Sequence, residues 1–166
     1  IGVFSVGIDD GLLHPTPEFC RLYGLPVAAT YPASVFERLV IPDDSHLVST
    51  AESRRRGEPP RDVEYRIRRP DTGERRWIAR RGEIERDAAG RPLRFSGVAR
   101  DVTEARSARD ALATSEARYR ALFEAVNDGF CIIEFLDGPH GPLSDYVHVE
   151  ANPAYTRHAG IPDVVG

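Results

Sequence analysis

Three residue types are missing from this 166-residue sequence: methionine, lysine and glutamine. Without methionine the chain has no initiating residue, and we expect a fragment of something longer. Without lysine, all 22 basic residues are arginine. That bias reads first as genomic composition, but a guanidinium also pairs with carboxylates through a bidentate fork that an ammonium cannot make. Cysteine is scarce. Cys20 and Cys131 are too few for a disulfide scaffold and fit a reducing compartment, so a cytoplasmic location is expected. No long apolar run is present and mean hydropathy is −0.37, which argues against a membrane span. No stretch has the form of a signal peptide. What remains is ordinary for a globular chain: 41% hydrophobic, 29% charged, net charge −4.

That charge is unevenly spread. Residues 1–53 carry a net −5, residues 54–109 a net +7 and residues 110–166 a net −6. A basic middle raises the question of nucleic acid. The pattern answers against it. In Val63-Glu64-Tyr65-Arg66-Ile67-Arg68 apolar and charged residues alternate strictly, as in a strand with one face on a core and its charges in solvent. We therefore expect no nucleic-acid partner.

The middle reads as three strands: Asp62–Arg69, Glu74–Arg86 and Arg91–Asp101. Turn signals separate them at Asp71-Thr72-Gly73 and Asp87-Ala88-Ala89-Gly90. Such short connections force antiparallel neighbours. Upstream, Gly2–Ile8 and Leu12–His14 read as strands. Pro17–Gly24 reads as a short helix with Pro at its start and Gly after its end, and Pro32–Leu39 as another. Asp43 or Asp44 is expected to cap a third helix towards Arg56. This order specifies an α+β domain of about 100 residues.

The chain then repeats itself. Pro17-Glu18-Phe19-Cys20-Arg21-Leu22-Tyr23-Gly24-Leu25-Pro26 matches Pro153-Ala154-Tyr155-Thr156-Arg157-His158-Ala159-Gly160-Ile161-Pro162 at a constant offset of 136. Gly2–Val6 parallels Gly129–Ile133 at an offset of 127, so the second copy carries nine extra residues near Asp137–Pro142. It stops at Gly166 and is expected to be truncated, with Phe130–Phe135 an unpaired strand that packs on a neighbour or exchanges with a second chain. Between the copies, Asp101-Val102-Thr103-Glu104 has the form of a capping box with Asp101 as N-cap. A helix over 102–126 would be about 37 Å long at roughly 1.5 Å per residue. Ala105, Leu112, Tyr119 and Val126 recur every seven residues, a candidate dimer seam, although Arg109 and Glu116 interrupt it. The same stripe would serve a helix packed on its own domain, and a break near Thr114-Ser115 is an alternative.

These residues resemble the PAS family of sensor domains. Glu64-Tyr65-Arg66 through Trp77-Ile78, with Gly90-Arg91-Pro92-Leu93 and Phe95-Ser96-Gly97-Val98-Ala99-Arg100-Asp101-Val102-Thr103-Glu104, is similar to the family's C-terminal signature. Ile41-Pro42-Asp43-Asp44 resembles its His-Pro-Asp-Asp element, with Ile41 in place of His. Ser115–Phe123 looks like the opening of a following PAS domain. The resemblance implies a five-stranded antiparallel sheet with short helices on one face. It also implies a place in a multidomain bacterial signalling protein, most often a sensor histidine kinase and less often a diguanylate cyclase. We expect a PAS-like domain over 1–101, a linker helix over 102–126 and the N-terminal part of a second PAS-like domain over 127–166.

Covalent flavin chemistry needs a cysteine in an Asn-Cys-Arg context, which neither Cys20 nor Cys131 has. Haem needs an axial ligand, and in the helical stretch only His46 offers one. The five histidines lack metal-ligand spacing. No cofactor, no metal and no catalytic constellation is expected, so the fragment reads as non-catalytic. Phe19, Leu22, Tyr23, Phe36, Leu39, Tyr65, Ile67 and Phe95 either line a pocket for a small ligand or fill the core. Asp101, Val102, Thr103 and Glu104 are the expected signal-coupling residues. A homodimer is expected along the helix seam and the outer sheet face near Trp77, with an output domain further along the chain.

Overall fold

Alternation and turn chemistry place the strands where the sequence puts them. In the computed structural model, β1 (Gly2–Gly7), β2 (Leu12–Pro15), α1 (Pro17–Leu22), β3 (Tyr31–Pro32) and α2 (Ala33–Glu37) precede a 3-10 turn at Pro42–Leu47 and α3 (Ala51–Arg56). Then come β4 (Asp62–Arg68), β5 (Arg75–Arg86), β6 (Pro92–Asp101), α4 (Thr103–Ala125), β7 (Cys131–Gly138), β8 (Gly141–Ala151) and α5 (Pro153–Ala159). The structure describes residues 1–160 and 164–165, so the Ile161-Pro162 end of the repeat match and Gly166 lie outside the described residues. The chain divides into two compact units, Ile1–Ser107 and Ala108–Gly166.

In the first unit the antiparallel sheet has the order β3-β2-β1-β6-β5-β4. The five expected strands are all present, and Tyr31–Pro32 adds a two-residue edge beside β2. Sequence-distant β1 and β6 pair at the centre, from Gly2 opposite Ala99 to Gly7 opposite Arg94. One face carries Phe4, Val6, Leu13, Tyr65, Ile67, Ile78, Phe95 and Ala99, buried under the helices. Its centre is aromatic. Phe19 of α1 lies 5.2 Å from Phe4, 4.7 Å from Tyr23 and 5.1 Å from Phe36 between ring centroids. Phe95 lies across Gly82, where a Cβ would come within 2.6 Å of its ring, and a Cβ on Gly97, opposite Gly82, would overlap the Arg81 carbonyl. Glycine at both positions lets β5 and β6 approach under the ring.

Asp43 and Asp44 do not cap a helix, contrary to expectation. They sit in the 3-10 turn, while α3 starts later, where Thr50 and Ser53 form its capping box. Asp44 instead grips β4. Its Oδ2 accepts from the Arg66 amide and Nε at 2.8 Å each, and its Oδ1 from an Arg66 terminal nitrogen at 2.7 Å. Val40 bridges Ile67, and Ile41 N–H donates to the Arg66 carbonyl at 2.9 Å. The segment before the turn therefore covers the open edge of β4, which would otherwise present unpaired backbone groups.

Helix α4 is continuous through Thr114-Ser115, with no break there; the Thr114 hydroxyl donates back to the Asp110 carbonyl at 2.8 Å. In the second unit β7 is not the unpaired strand expected. It forms an antiparallel hairpin with β8, and the extra residues of the second copy lengthen that hairpin. Asn152 is fully buried at the start of α5. Its Oδ1 accepts from Phe130 and Tyr155 N–H at 2.9 and 2.8 Å. In the first unit Thr16 Oγ1 accepts from Val3 and Phe19 N–H at 3.1 and 3.4 Å.

Candidate functional site

Two features of the first unit carry chemistry beyond packing. One is a cavity of about 40 Å³ between the sheet and the helices. It holds roughly one to three water molecules. Of the eight residues expected at a pocket, Phe19, Tyr23, Phe36 and Tyr65 line it. Ile67 and Phe95 are buried elsewhere in the core, and Leu22 and Leu39 pack against it from its margin. The Tyr23 and Tyr65 hydroxyls share a hydrogen bond of 2.6 Å. Burial raises Tyr23 well above the ordinary phenol value and raises Tyr65 too, despite the opposing charge of Arg80, so both are neutral.

The cavity also has a charged wall that the sequence reading missed. Arg54 and Arg80 line it and are only 5% and 6% exposed. Arg54 donates to the Ser49 carbonyl at 2.8 Å and to Ser49 Oγ at 3.0 Å. It lies 3.0 Å from Glu37 Oε1, off the N–H direction, which is an ionic contact and not a hydrogen bond. Arg80 donates to Ser49 Oγ at 3.2 Å and the Pro60 carbonyl at 2.8 Å, and its guanidinium lies 5.2 Å from the Phe95 ring centroid. Position parity could have found it. Ile78, Arg80, Gly82 and Ile84 all point one way along β5, so Arg80 belongs to the core face. Nothing in Arg54-Arg55-Arg56 marks which arginine turns inward.

The second feature is the junction of β6 and α4. Val102 N–H donates to the Trp77 carbonyl at 2.9 Å, and Trp77 N–H donates to Thr103 Oγ1 at 2.8 Å. Asp101 Oδ1 accepts from Thr103 N–H at 2.8 Å, while its Oδ2 lies 3.5 Å from Arg76. Asp101 ends β6, and its carboxylate bonds the Thr103 amide two residues on; the expected capping box with Glu104 is replaced by this tighter turn. Glu104 is exposed. Arg106, one turn into α4, stacks its guanidinium 3.9 Å from the Trp77 ring centroid and pairs with Glu64. Arg66 approaches the same ring at 5.4 Å. Trp77, expected near a dimer face, is thus half-covered by two arginines. Of the expected seam, Ala105, Leu112, Tyr119 and Val126 are all exposed.

The remaining sequence candidates are elsewhere. His46 is exposed in the 3-10 turn and does not line the cavity, and Cys20 is buried in α1. Among the described residues no group of three or more His, Cys, Asp or Glu could hold a metal ion, and no helix is long and apolar enough to cross a membrane.

Residues 13–99 match the PAS fold. A search of curated proteins finds none that matches. Among solved structures, a sensory box histidine kinase/response regulator from Burkholderia thailandensis is similar, with 27% identity and a TM-score of 0.57. The match covers 72% of this chain and 90% of that one. The N-terminal domain of a diguanylate cyclase with a PAS/PAC sensor from Marinobacter aquaeolei has 18% identity and a TM-score of 0.53, a likeness of fold alone. There the match covers 63% of this chain and 97% of the other.

Proposed function

This chain belongs to the PAS fold family, and we propose that it is a non-catalytic input module which passes a change in its core or sheet to α4. The observation that carries this reading is the hold of Trp77 on the junction: its carbonyl takes the Val102 amide, its amide bonds the Thr103 hydroxyl, and its ring stacks on Arg106. A helix fixed to a strand at three points moves when that strand moves, and a downstream domain then feels a rotation or shift in helix position. Asp101, Val102 and Thr103 are the coupling residues, with Trp77 and Arg106 added, while Glu104 has, among the described residues, no contact that supports its role.

The parent is a bacterial signalling protein, a sensor histidine kinase before a diguanylate cyclase, acting in the cytoplasm through an output domain in the same chain. The domain over 1–101, the linker helix over 102–126 and a second PAS-like copy from 127 complete the proposal. The paired roles of Thr16 and Asn152, each accepting from one strand amide and one helix amide, support the copy. So does the close approach of Gly2 to Phe19 and of Gly129 to Tyr155. Exposed Leu112, Tyr119 and Val126 on α4, and Val3 and Val98 on the outer sheet face, support a homodimer. Light scattering that shows only monomer at high concentration would remove that element.

The test of the main reading is Thr103→Val, or Asp101→Ala, in the longer protein. Valine keeps the shape of threonine and deletes the acceptor for Trp77 N–H. Signal-dependent output falls several-fold in either variant while the fold persists. Unchanged signal dependence in both would mean the junction does not transmit.

A further inference from the structure

Arginine is almost never fully buried without a paired acid. In this cavity two buried arginines meet one carboxylate, Glu37, which contacts Arg54. The partners of Arg80 are neutral: a serine hydroxyl, a backbone carbonyl and the Tyr65 and Phe95 rings. Its Nε is buried and, among the described residues, has no hydrogen-bond partner. One positive charge is therefore left over beside an open space of about 40 Å³. Leaving such a charge uncompensated in a low-dielectric interior is expensive.

We propose that this cavity binds a small monoanion, a short carboxylate or an oxyanion of similar size, with Arg80 as its principal donor. The Arg80 guanidinium supplies the charge and the free Nε–H, and charge-assisted bonds of this kind are the strong ones. Phe19 and Phe36 face any apolar end. The volume admits about three heavy atoms, the size of formate, which excludes dicarboxylates, nucleotides and ring cofactors from this space. Glu37 restricts occupants further, since it repels a second negative charge. Arg80 lies three residues beyond Trp77 on β5, so the bound charge acts on the strand that holds α4. That consequence rests on the transmission reading above, whereas the binding itself does not.

Formate and acetate are the probes, titrated into the full 166-residue chain at fixed pH. Gluconate, too large for the cavity, keeps ionic strength constant. The readout is the Arg80 Nε–H resonance, assigned through its proximity to the Phe95 and Tyr65 rings. Saturation of its shift by formate below about 100 mM is expected, with weaker binding of the larger acetate and a matching rise in the thermal midpoint. Arg80→Lys keeps the charge but loses the fork, and binds about tenfold more weakly. No saturable shift with either anion, leaving water alone in the cavity, overturns the proposal, as does equal affinity in Arg80→Lys. Should that variant fail to fold, the wild-type resonance decides alone. Thr103→Val binds the anion like wild type, so a failure of transmission and a failure of binding give different results.

Discussion

Asp44→Asn tests whether the clamp on β4 is electrostatic. In the wild type, hydrogen bonds from the Arg66 guanidinium, with its amide and its charge, hold the Asp44 carboxyl at about 2, below its ordinary 3.8. A shift of that size corresponds to about 2.5 kcal/mol at 1.36 kcal/mol per unit. The Arg66 side chain is 31% exposed, and solvent screening reduces the figure to about 1–2 kcal/mol. The sign follows from linkage. The folded value is depressed, so the unfolded chain takes up its proton first. The contribution is complete above about pH 4, is halved near pH 3 and disappears below about pH 2. Trp77, the single tryptophan, lies in the same unit and reports its unfolding. Urea denaturation followed by Trp77 fluorescence should give a wild-type advantage over Asp44→Asn of about 1–2 kcal/mol at pH 7, roughly halved at pH 3. Urea is preferred because guanidinium salt would screen the pair. A gap that is absent at pH 7, or the same at both pH values, would refute the ionic account of the clamp.

Two further outcomes follow from packing. Gly97→Ala forces a methyl into the Arg81 carbonyl across the Gly82–Gly97 pair, and should cost about 3 kcal/mol or more in urea denaturation. Arg106→Ala strips one face of Trp77, so its emission should shift to the red, with a loss of about 0.5–1 kcal/mol.

Much of the fold was legible because its signals are local. Strict alternation placed β4, the Asp71–Gly73 and Asp87–Gly90 turns bounded β5, and Pro17 with Gly24 framed α1. The cavity's charge was legible at Arg80 through strand parity but not at Arg54. In Arg80-Arg81 charge alone does not separate the two residues, yet strand parity sends one to each side, and only Arg80 meets the core. Asp44 was misread. Next to Pro42 it looks like a local cap, but its partner Arg66 lies 22 residues away on a strand. At the junction the sequence marked Asp101 and Thr103, which Trp77 completes through pairing of β5 with β6. A contact between residues far apart in the chain leaves no trace in spacing, and the Asp44–Arg66 clamp is of that kind.

The central claim is that the core and the start of α4 move together. The Arg106 amide, which donates to the Val102 carbonyl at 2.9 Å, reports the first turn of α4 by native-state hydrogen exchange. Tyr65→Phe perturbs the core by deleting one hydroxyl of the 2.6 Å pair with Tyr23. The account predicts that Tyr65→Phe alters Arg106 exchange several-fold, and that the change disappears when Thr103→Val is added. Arg106 exchange that ignores Tyr65→Phe, or that responds equally with and without Thr103, would contradict it.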